Sequence, residues 1–81
     1  MVCIINVNRI KELFVANKEV HFKLFSLDYT IKQIDNNVVI IYADIYSSRP
    51  SKYNTIDELL NNYTIYNETL IDNGNRIINI K

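Results

Sequence analysis

The chain has 81 residues, which is the length of one small domain, residues 1–81. Hydrophobic residues make up 48% of it and charged residues 22%, so it is too apolar to be disordered, and it contains no apolar run of about 18 residues that could span a membrane. Nine basic residues balance nine acidic ones, which argues against a general nucleic-acid-binding protein because such proteins carry a strong basic excess.

The single cysteine, Cys3, excludes an internal disulfide framework and a multi-cysteine zinc site. A lone thiol fits a reducing compartment, so we expect a cytoplasmic protein. A core of this size without a disulfide or a metal is marginal, and for that reason a homo-oligomer is one expectation.

The first predicted element is an amphipathic helix over residues 7–17. Its apolar positions recur at helical spacing and are Val7, Ile10, Leu13 and Phe14. Asn6 or Asn8 is the predicted N-cap, because either side chain can accept a bond from a free N–H of the first turn. Asn17 is the predicted left-handed residue that ends the helix.

Three strands follow, and we expect them to form an antiparallel meander. Residues 19–24 and 29–34 alternate between apolar and polar side chains, as half-buried strands do. Asn36 and Asn37 predict a tight turn. Residues 38–46 are almost continuously apolar, which predicts a central strand with both faces covered. One face of that strand is expected to carry Val39, Ile41, Ala43 and Ile45.

Residues 47–53 are predicted to be irregular, and a second helix is expected over 55–62. Thr55 and Glu58 form a capping box at its start. Short strands are then predicted, and the Asn73-Gly74 pair indicates a hairpin whose last strand, 76–80, is apolar enough to pair with a second copy of the chain.

The predicted fold is therefore α+β, with element order αβββαββ. Two short helices pack on one face of a three-stranded antiparallel meander, and a C-terminal β-hairpin completes the domain.

No catalytic, metal-binding or cofactor-binding group is predicted. His21 is the one candidate base and Cys3 the one thiol, and no spacing links them, so we expect a surface histidine and a small buried thiol. The carboxylates show no ligand spacing, and residues 72–75 lack the alternating ligands of a calcium loop. A single glycine cannot form a phosphate-binding loop.

Asp44 is an unusual residue because it lies inside an apolar run, where an ionised carboxylate is costly unless it is paired. Its expected partners are Arg49, Lys32 or Lys23, and the alternative is an exposed position.

The segment from Tyr42 to Tyr53 is the predicted functional surface. Tyrosine and arginine are enriched at the energetic centres of protein interfaces, and Pro50 restrains the loop. The loop also precedes a helix N-terminus, which favours anions. We expect a non-enzymatic regulator or inhibitor that binds another protein through this segment. The predicted contact residues are Tyr42, Tyr46, Arg49, Lys52 and Tyr53.

Two alternatives remain at this stage. Lys23 and Lys32 share a sheet face on which Tyr29 or Phe25 could stack single-stranded nucleic acid, although zero net charge argues against it. A weaker alternative is an enzyme that uses His21 or Cys3.

Overall fold

A computed structural model describes residues 4–81, so Cys3 and its predicted burial lie outside the described residues. The elements in chain order are α1 (Ile4–Asn17), β1 (Glu19–Leu24), β2 (Leu27–Asp35), β3 (Val38–Ala43), a first 3-10 helix (Asp44–Tyr46), β4 (Ser51–Tyr53), α2 (Ile56–Asn62), β5 (Thr64–Ile65), β6 (Glu68–Thr69) and a second 3-10 helix (Gly74–Arg76). The predicted α+β class is confirmed.

The main sheet is an antiparallel meander of four strands in the order β1-β2-β3-β4. Strand β4 pairs with β3 through Ser51 opposite Ile41 and Tyr53 opposite Val39. This strand lies inside residues 47–53, which the sequence predicted to be irregular. Three residues are too few to show a periodicity in the sequence. Strand β4 is recognisable only from its hydrogen-bonded pairing with the free edge of β3.

Both helices pack on the same face of this sheet, as predicted, and form one apolar core with it. Helix α1 contacts β1, and α2 contacts β3 and β4. The buried side chains are Val7, Ile10, Phe14, Val20, Phe22, Leu24, Tyr29, Ile31, Val39, Ile41, Ala43, Leu59, Leu60, Leu70 and Ile77. The period-two pattern of β1 and β3 places these side chains on one side.

The opposite face of β3 is half exposed, so the prediction that both of its faces are covered is wrong. Val38, Ile40 and Tyr42 are only partly buried there. A strand can be interior in sheet order and still be solvated on one face when all helices lie on the other side.

Asn6 lies inside α1, so neither Asn6 nor Asn8 is the N-cap that the sequence predicted. The side-chain amide of Asn6 donates to the backbone oxygens of Gly74, at 2.7 Å, and Ile77, at 3.1 Å. It therefore joins the first helix to the last segment of the chain. The helical spacing alone could not distinguish this tertiary contact from a cap.

Asparagine occupies two of the six left-handed backbone positions within residues 4–81, Asn67 and Asn79. Helix α1 ends at Asn17, but the left-handed residue is the next one, Lys18, with φ 61° and an N–H that donates to Phe14 O at 2.7 Å, so the prediction that Asn17 is left-handed is wrong. The β1–β2 turn uses Phe25 and Ser26, with φ 52° and 66°. These two positive values match the twist of a two-residue hairpin.

The predicted hairpin at Asn73-Gly74 is absent, and the C-terminal hairpin lies earlier in the chain, between β5 and β6. Gly74 has no positive φ and begins the second 3-10 helix. The reason is that Asn73 is fully buried, and its amide donates to the backbone oxygens of Glu68, at 3.3 Å, and Thr69, at 3.0 Å.

Residues 77–81 pair with the outer edge of β1. His21 and Lys81 exchange backbone hydrogen bonds of 2.9 and 2.8 Å, and Lys23 and Ile78 exchange bonds of 2.8 and 2.9 Å. The segment that the sequence assigned to a hairpin and to pairing with a second copy thus covers an edge of its own sheet, which protects that edge.

Helix α2 begins as predicted. The Thr55 hydroxyl accepts a hydrogen bond from Glu58 N at 3.0 Å and satisfies one free N–H of the first turn. Its apolar residues Leu59 and Leu60 are fully buried against the sheet.

Replacing Lys18 with glycine is expected to stabilise the protein by about 1 kcal/mol, because glycine removes the steric cost of a left-handed residue at a helix end. Urea unfolding measures this change. Ala16→Gly is the matched control, since glycine at this exposed position of the last helical turn should destabilise, by up to about 1 kcal/mol. Equal signs for the two variants would contradict the assignment of Lys18.

Replacing Asn6 with alanine should destabilise the protein by about 1–3 kcal/mol, because two backbone oxygens of the C-terminal segment lose their donor. Asn8→Ala is the control, because Asn8 is exposed in the same helix. A similar loss in both variants, measured as the free energy of unfolding, would assign the effect to helix propensity instead of the tertiary contact.

Candidate functional site

The face of the sheet that points away from both helices, here called the outer face, carries most of the polar side chains of the four strands. The strand register places on it Glu19, His21, Lys23, Asp28, Thr30, Lys32, Ile40, Tyr42 and Lys52. Because directly paired residues in an antiparallel sheet project to the same side, these residues are neighbours.

Four of the predicted contact residues lie on or beside this face. Tyr42 is opposite Thr30 on the outer face, and Lys52 is opposite Ile40 on the edge strand. Tyr46 ends the first 3-10 helix with 61% of its surface exposed. Arg49 is exposed in the following loop, where its backbone N–H donates to Tyr46 O at 3.0 Å.

Tyr53 is separated from the other four. It is opposite Val39, so it points to the core side of the sheet, where it packs against the buried cluster. Burial raises its pKa, and the nearby Glu58 carboxylate raises it further. Its place in the predicted contact set is therefore not supported by the geometry, since alternation within β4 sends Lys52 and Tyr53 to opposite faces.

Ile45 is a surface residue that the sequence placed on the buried face of β3. The strand ends at Ala43, and the first 3-10 helix turns Ile45 outward, so that 68% of its surface is exposed. The one available signal was Asp44, because a carboxylate inside an apolar run indicates that the strand stops there.

Arg49 and Lys52 have no carboxylate within ion-pair distance anywhere in residues 4–81. Lys18, Lys23 and Lys81 are likewise in no ion pair within the described residues, whereas four other cations are paired. The nitrogen–oxygen distances are 3.7 Å for Arg9–Glu12, 2.7 Å for Lys11–Asp57, 3.6 Å for Lys32–Glu19 and 2.8 Å for Arg76–Glu68. The loop and the edge strand thus present unneutralised positive charge beside exposed apolar side chains.

A chain of hydrogen bonds crosses the outer face from β1 to the first 3-10 helix. Glu19 Oε2 lies 2.7 Å from His21 Nε2, and His21 Nδ1 lies 3.0 Å from Thr30 Oγ1. The Thr30 hydroxyl donates to Asp44 Oδ1 at 2.7 Å. None of the three cations expected to pair with Asp44 does so, because this hydroxyl is its partner and the residue is exposed.

The Thr30 hydroxyl has a single hydrogen, and this fixes which groups donate and which accept along the row of four hydrogen-bonded side chains. Since that hydrogen goes to Asp44, the hydroxyl oxygen accepts from His21 Nδ1–H. The other ring nitrogen faces the Glu19 carboxylate, which can only accept. Both nitrogens act as donors at once only in the imidazolium form, so that form satisfies all four groups.

The Glu19 carboxylate responds to this arrangement. The hydrogen bond from His21 lowers the pKa of Glu19 below its ordinary value, and the charge of Lys32 acts in the same direction.

Beside the hydrogen-bond chain lies an open cleft of about 220 Å³ lined by His21, Phe22, Asp28, Asp44, Asn79 and Lys81.

The described residues offer no metal-binding cluster, and the hydroxyl next to His21 is already engaged in a hydrogen bond. No set of three or more His, Cys, Asp and Glu side chains in residues 4–81 is placed to hold a metal ion. The Thr30 hydroxyl beside His21 is 3% exposed and already donates to Asp44, so it is not free to act as a nucleophile.

The stacking platform proposed for single-stranded nucleic acid is only partly assembled. Lys23 and Lys32 share the outer face, but Tyr29 points to the core and stacks on Phe22 with ring centroids 5.3 Å apart. Phe25 is at the tip of the β1–β2 turn and contacts the Tyr66 ring edge-on. Tyr29 therefore offers no ring to a base.

Comparisons with known proteins add no functional assignment: the chain matches no family model, no curated protein and no solved structure at a significant level. Across residues 4–81, neither helix has the length and hydropathy that a membrane span requires.

The Glu19 contact predicts an acid-dependent loss of stability. Because the pKa of Glu19 is lowered in the folded state, its contribution is present above the ordinary value of 4.5 and is lost as the pH falls through the folded value. The difference in melting temperature between wild type and Glu19→Gln should therefore shrink below pH 4.5. In a His21→Gln background this pH dependence should largely vanish, and its persistence there would contradict the assignment to His21.

Proposed function

We propose that this chain is a non-enzymatic protein-interaction domain that binds an acidic segment of another protein. The binding surface, here called the basic–aromatic surface, consists of Ile40, Tyr42, Ile45, Tyr46, Arg49 and Lys52. The observation that carries the proposal is that one short segment, residues 45–52, combines exposed Ile45 and Tyr46 with two exposed cations, Arg49 and Lys52, that form no ion pair within residues 4–81.

The composition of this surface supports a protein partner. Tyrosine and arginine dominate the energetic centres of protein interfaces because they bury large areas and also form hydrogen bonds. Tyr46 and Ile45 already lie in water, so a partner that covers them removes apolar surface from solvent, at roughly 25 cal/mol per Å².

The charges on the surface indicate the chemistry of that partner. Arg49 and Lys52 are both exposed, and neither has a carboxylate within ion-pair distance in the described residues. Carboxylates of a partner could therefore bind to them without breaking an ion pair inside the domain. A basic partner would meet repulsion there. An acidic segment with apolar or aromatic residues therefore complements the surface in both charge and polarity.

The surface is suited to side-chain contacts and poorly suited to strand addition. Strand β4, which forms the sheet edge beside it, has only three residues and follows Pro50. Short edge strands and proline both limit pairing with another chain. Affinity is expected to come from side chains on the outer face and the first 3-10 helix.

Binding of a fluorescent random copolymer of glutamate and tyrosine, followed by anisotropy, tests the proposed chemistry. The double variant Arg49→Glu/Lys52→Glu should bind about tenfold more weakly or worse, since two attractive charges become repulsive. Tyr46→Ala should also weaken binding, because it removes an exposed anchor. Arg9→Glu/Lys11→Glu is the matched control, as it makes the same charge change on α1, which packs against the helix-covered face.

The outcomes separate the alternatives. Unchanged affinity in the folded double variant would overturn the surface assignment. Tighter binding of a single-stranded oligothymidine than of the copolymer, lost steeply as salt is raised, would favour the nucleic-acid alternative. A concentration-dependent mass in light scattering that Arg49→Glu/Lys52→Glu abolishes would instead identify the surface as a contact between two copies.

A further inference from the structure

The hydrogen-bond chain Glu19–His21–Thr30–Asp44 suggests a means of regulating the basic–aromatic surface, and this inference rests on the proposed function. We propose that the proton on His21 controls whether the first 3-10 helix, which carries Ile45 and Tyr46, is anchored to the sheet. The control passes through the single hydrogen of the Thr30 hydroxyl.

The anchor is the bond from Thr30 Oγ1 to Asp44 Oδ1, at 2.7 Å. Asp44 is the first residue of the 3-10 helix, and Ile45 and Tyr46 follow it directly. No residue of this 3-10 helix is buried, and its N-cap, Ala43, supplies no side-chain hydrogen bond. The contact from Thr30 is therefore the one side-chain hydrogen bond found for this helix in residues 4–81.

The protonated ring of His21 permits that anchor. With both ring nitrogens donating, Nε2–H is directed to Glu19 and Nδ1–H to the lone pairs of Thr30, so the Thr30 hydrogen is available to Asp44. Thr30 is 3% exposed, so water cannot readily replace either partner of the hydroxyl.

Loss of the proton leaves one N–H for two acceptors. If the neutral ring keeps Nδ1–H, the bare Nε2 lone pair faces the Glu19 carboxylate at 2.7 Å, which is repulsive. If it keeps Nε2–H, Nδ1 becomes an acceptor and takes the Thr30 hydrogen. Asp44 then loses its donor, and the 3-10 helix loses its side-chain hydrogen bond to β2.

Loss of the proton from His21 should weaken the binding of an acidic partner for two reasons. Removing the proton from His21 deletes a positive charge from the outer face, and it also frees the helix that presents Ile45 and Tyr46. Ordering a loosened segment on binding costs conformational entropy. Affinity for an acidic segment should therefore be higher when His21 is protonated.

His21 lies among charged and titratable groups on every element around it. These are Glu19 and Lys23 on β1, Asp28 and Lys32 on β2, Tyr42 on β3, Asp44 on the first 3-10 helix and Lys81 on the segment paired with β1. Among these side-chain types, imidazole is the one that ordinarily changes its charge between about pH 5 and 8.

Nuclear magnetic resonance of the isotope-labelled protein between about pH 5 and 8 tests the inference without a partner. The backbone amide signals of Asp44, Ile45 and Tyr46 should titrate with the same midpoint as the His21 ring. In Thr30→Val, which preserves the shape and removes the hydroxyl, the ring should still titrate and the three amide signals should no longer follow it.

Three outcomes would overturn the inference: amide signals that do not titrate in the wild type, signals with a different midpoint, or signals that follow His21 equally in Thr30→Val. Tyr46→Ala serves as a second variant, because it keeps the whole hydrogen-bond chain and should preserve the titration of the remaining amides. Failure here is distinguishable from failure of the proposed function, which is measured by copolymer binding at a fixed pH.

Discussion

Burial of the main sheet on one side only is the constraint from which the other features of this molecule follow. The buried apolar side chains of β1, β2 and β3 point toward α1 and α2, and one continuous core results. With few helices to cover it, a domain of 81 residues leaves the second face of its sheet to water. The polar side chains that alternate with the core residues therefore lie together on one open surface.

That open face is organised by a buried hydroxyl. Thr30 is almost completely covered although its neighbours in β2 on the same face are not, because His21 and Asp44 both bond to its oxygen. A buried hydroxyl without hydrogen-bond partners would destabilise the fold, and here the hydroxyl both donates to Asp44 and accepts from His21. The same contacts join β1, β2 and the first 3-10 helix, so the local electrostatics and the position of Ile45 and Tyr46 depend on one another.

Much of the fold could be predicted from local patterns. The alternation in residues 19–24 predicted β1 at its observed bounds, and the capping residues Thr55 and Glu58 predicted the start of α2. The missed elements have few residues or long-range partners. Strand β4 exists because β3 offers a free edge, and the Asn73-Gly74 hairpin is absent because the buried Asn73 amide bonds to the backbone near β6.

The candidate site was predictable in composition and much less so in geometry. Residue type and proximity in sequence identified Tyr42, Tyr46, Arg49 and Lys52, which the structure places on or beside the outer face. The same argument included Tyr53, which alternation sends to the core, and it left out Ile45. Side chains adjacent in sequence point to opposite faces along a strand, and they change direction again where the strand ends. The residue at which β3 ends depends on its tertiary neighbours.

By itself, the sequence determined the α+β class, the apolar stripe of α1 and the alternation of β1, because these depend on periodicity within a few residues. The tertiary structure alone decided that Asn6 holds the C-terminal segment, that residues 77–81 cover the edge of β1, and that Glu19, His21, Thr30 and Asp44 form one hydrogen-bonded chain. Those contacts join residues far apart in the chain, and a side chain's hydrogen-bonding partners depend on which groups the folded backbone brings within reach.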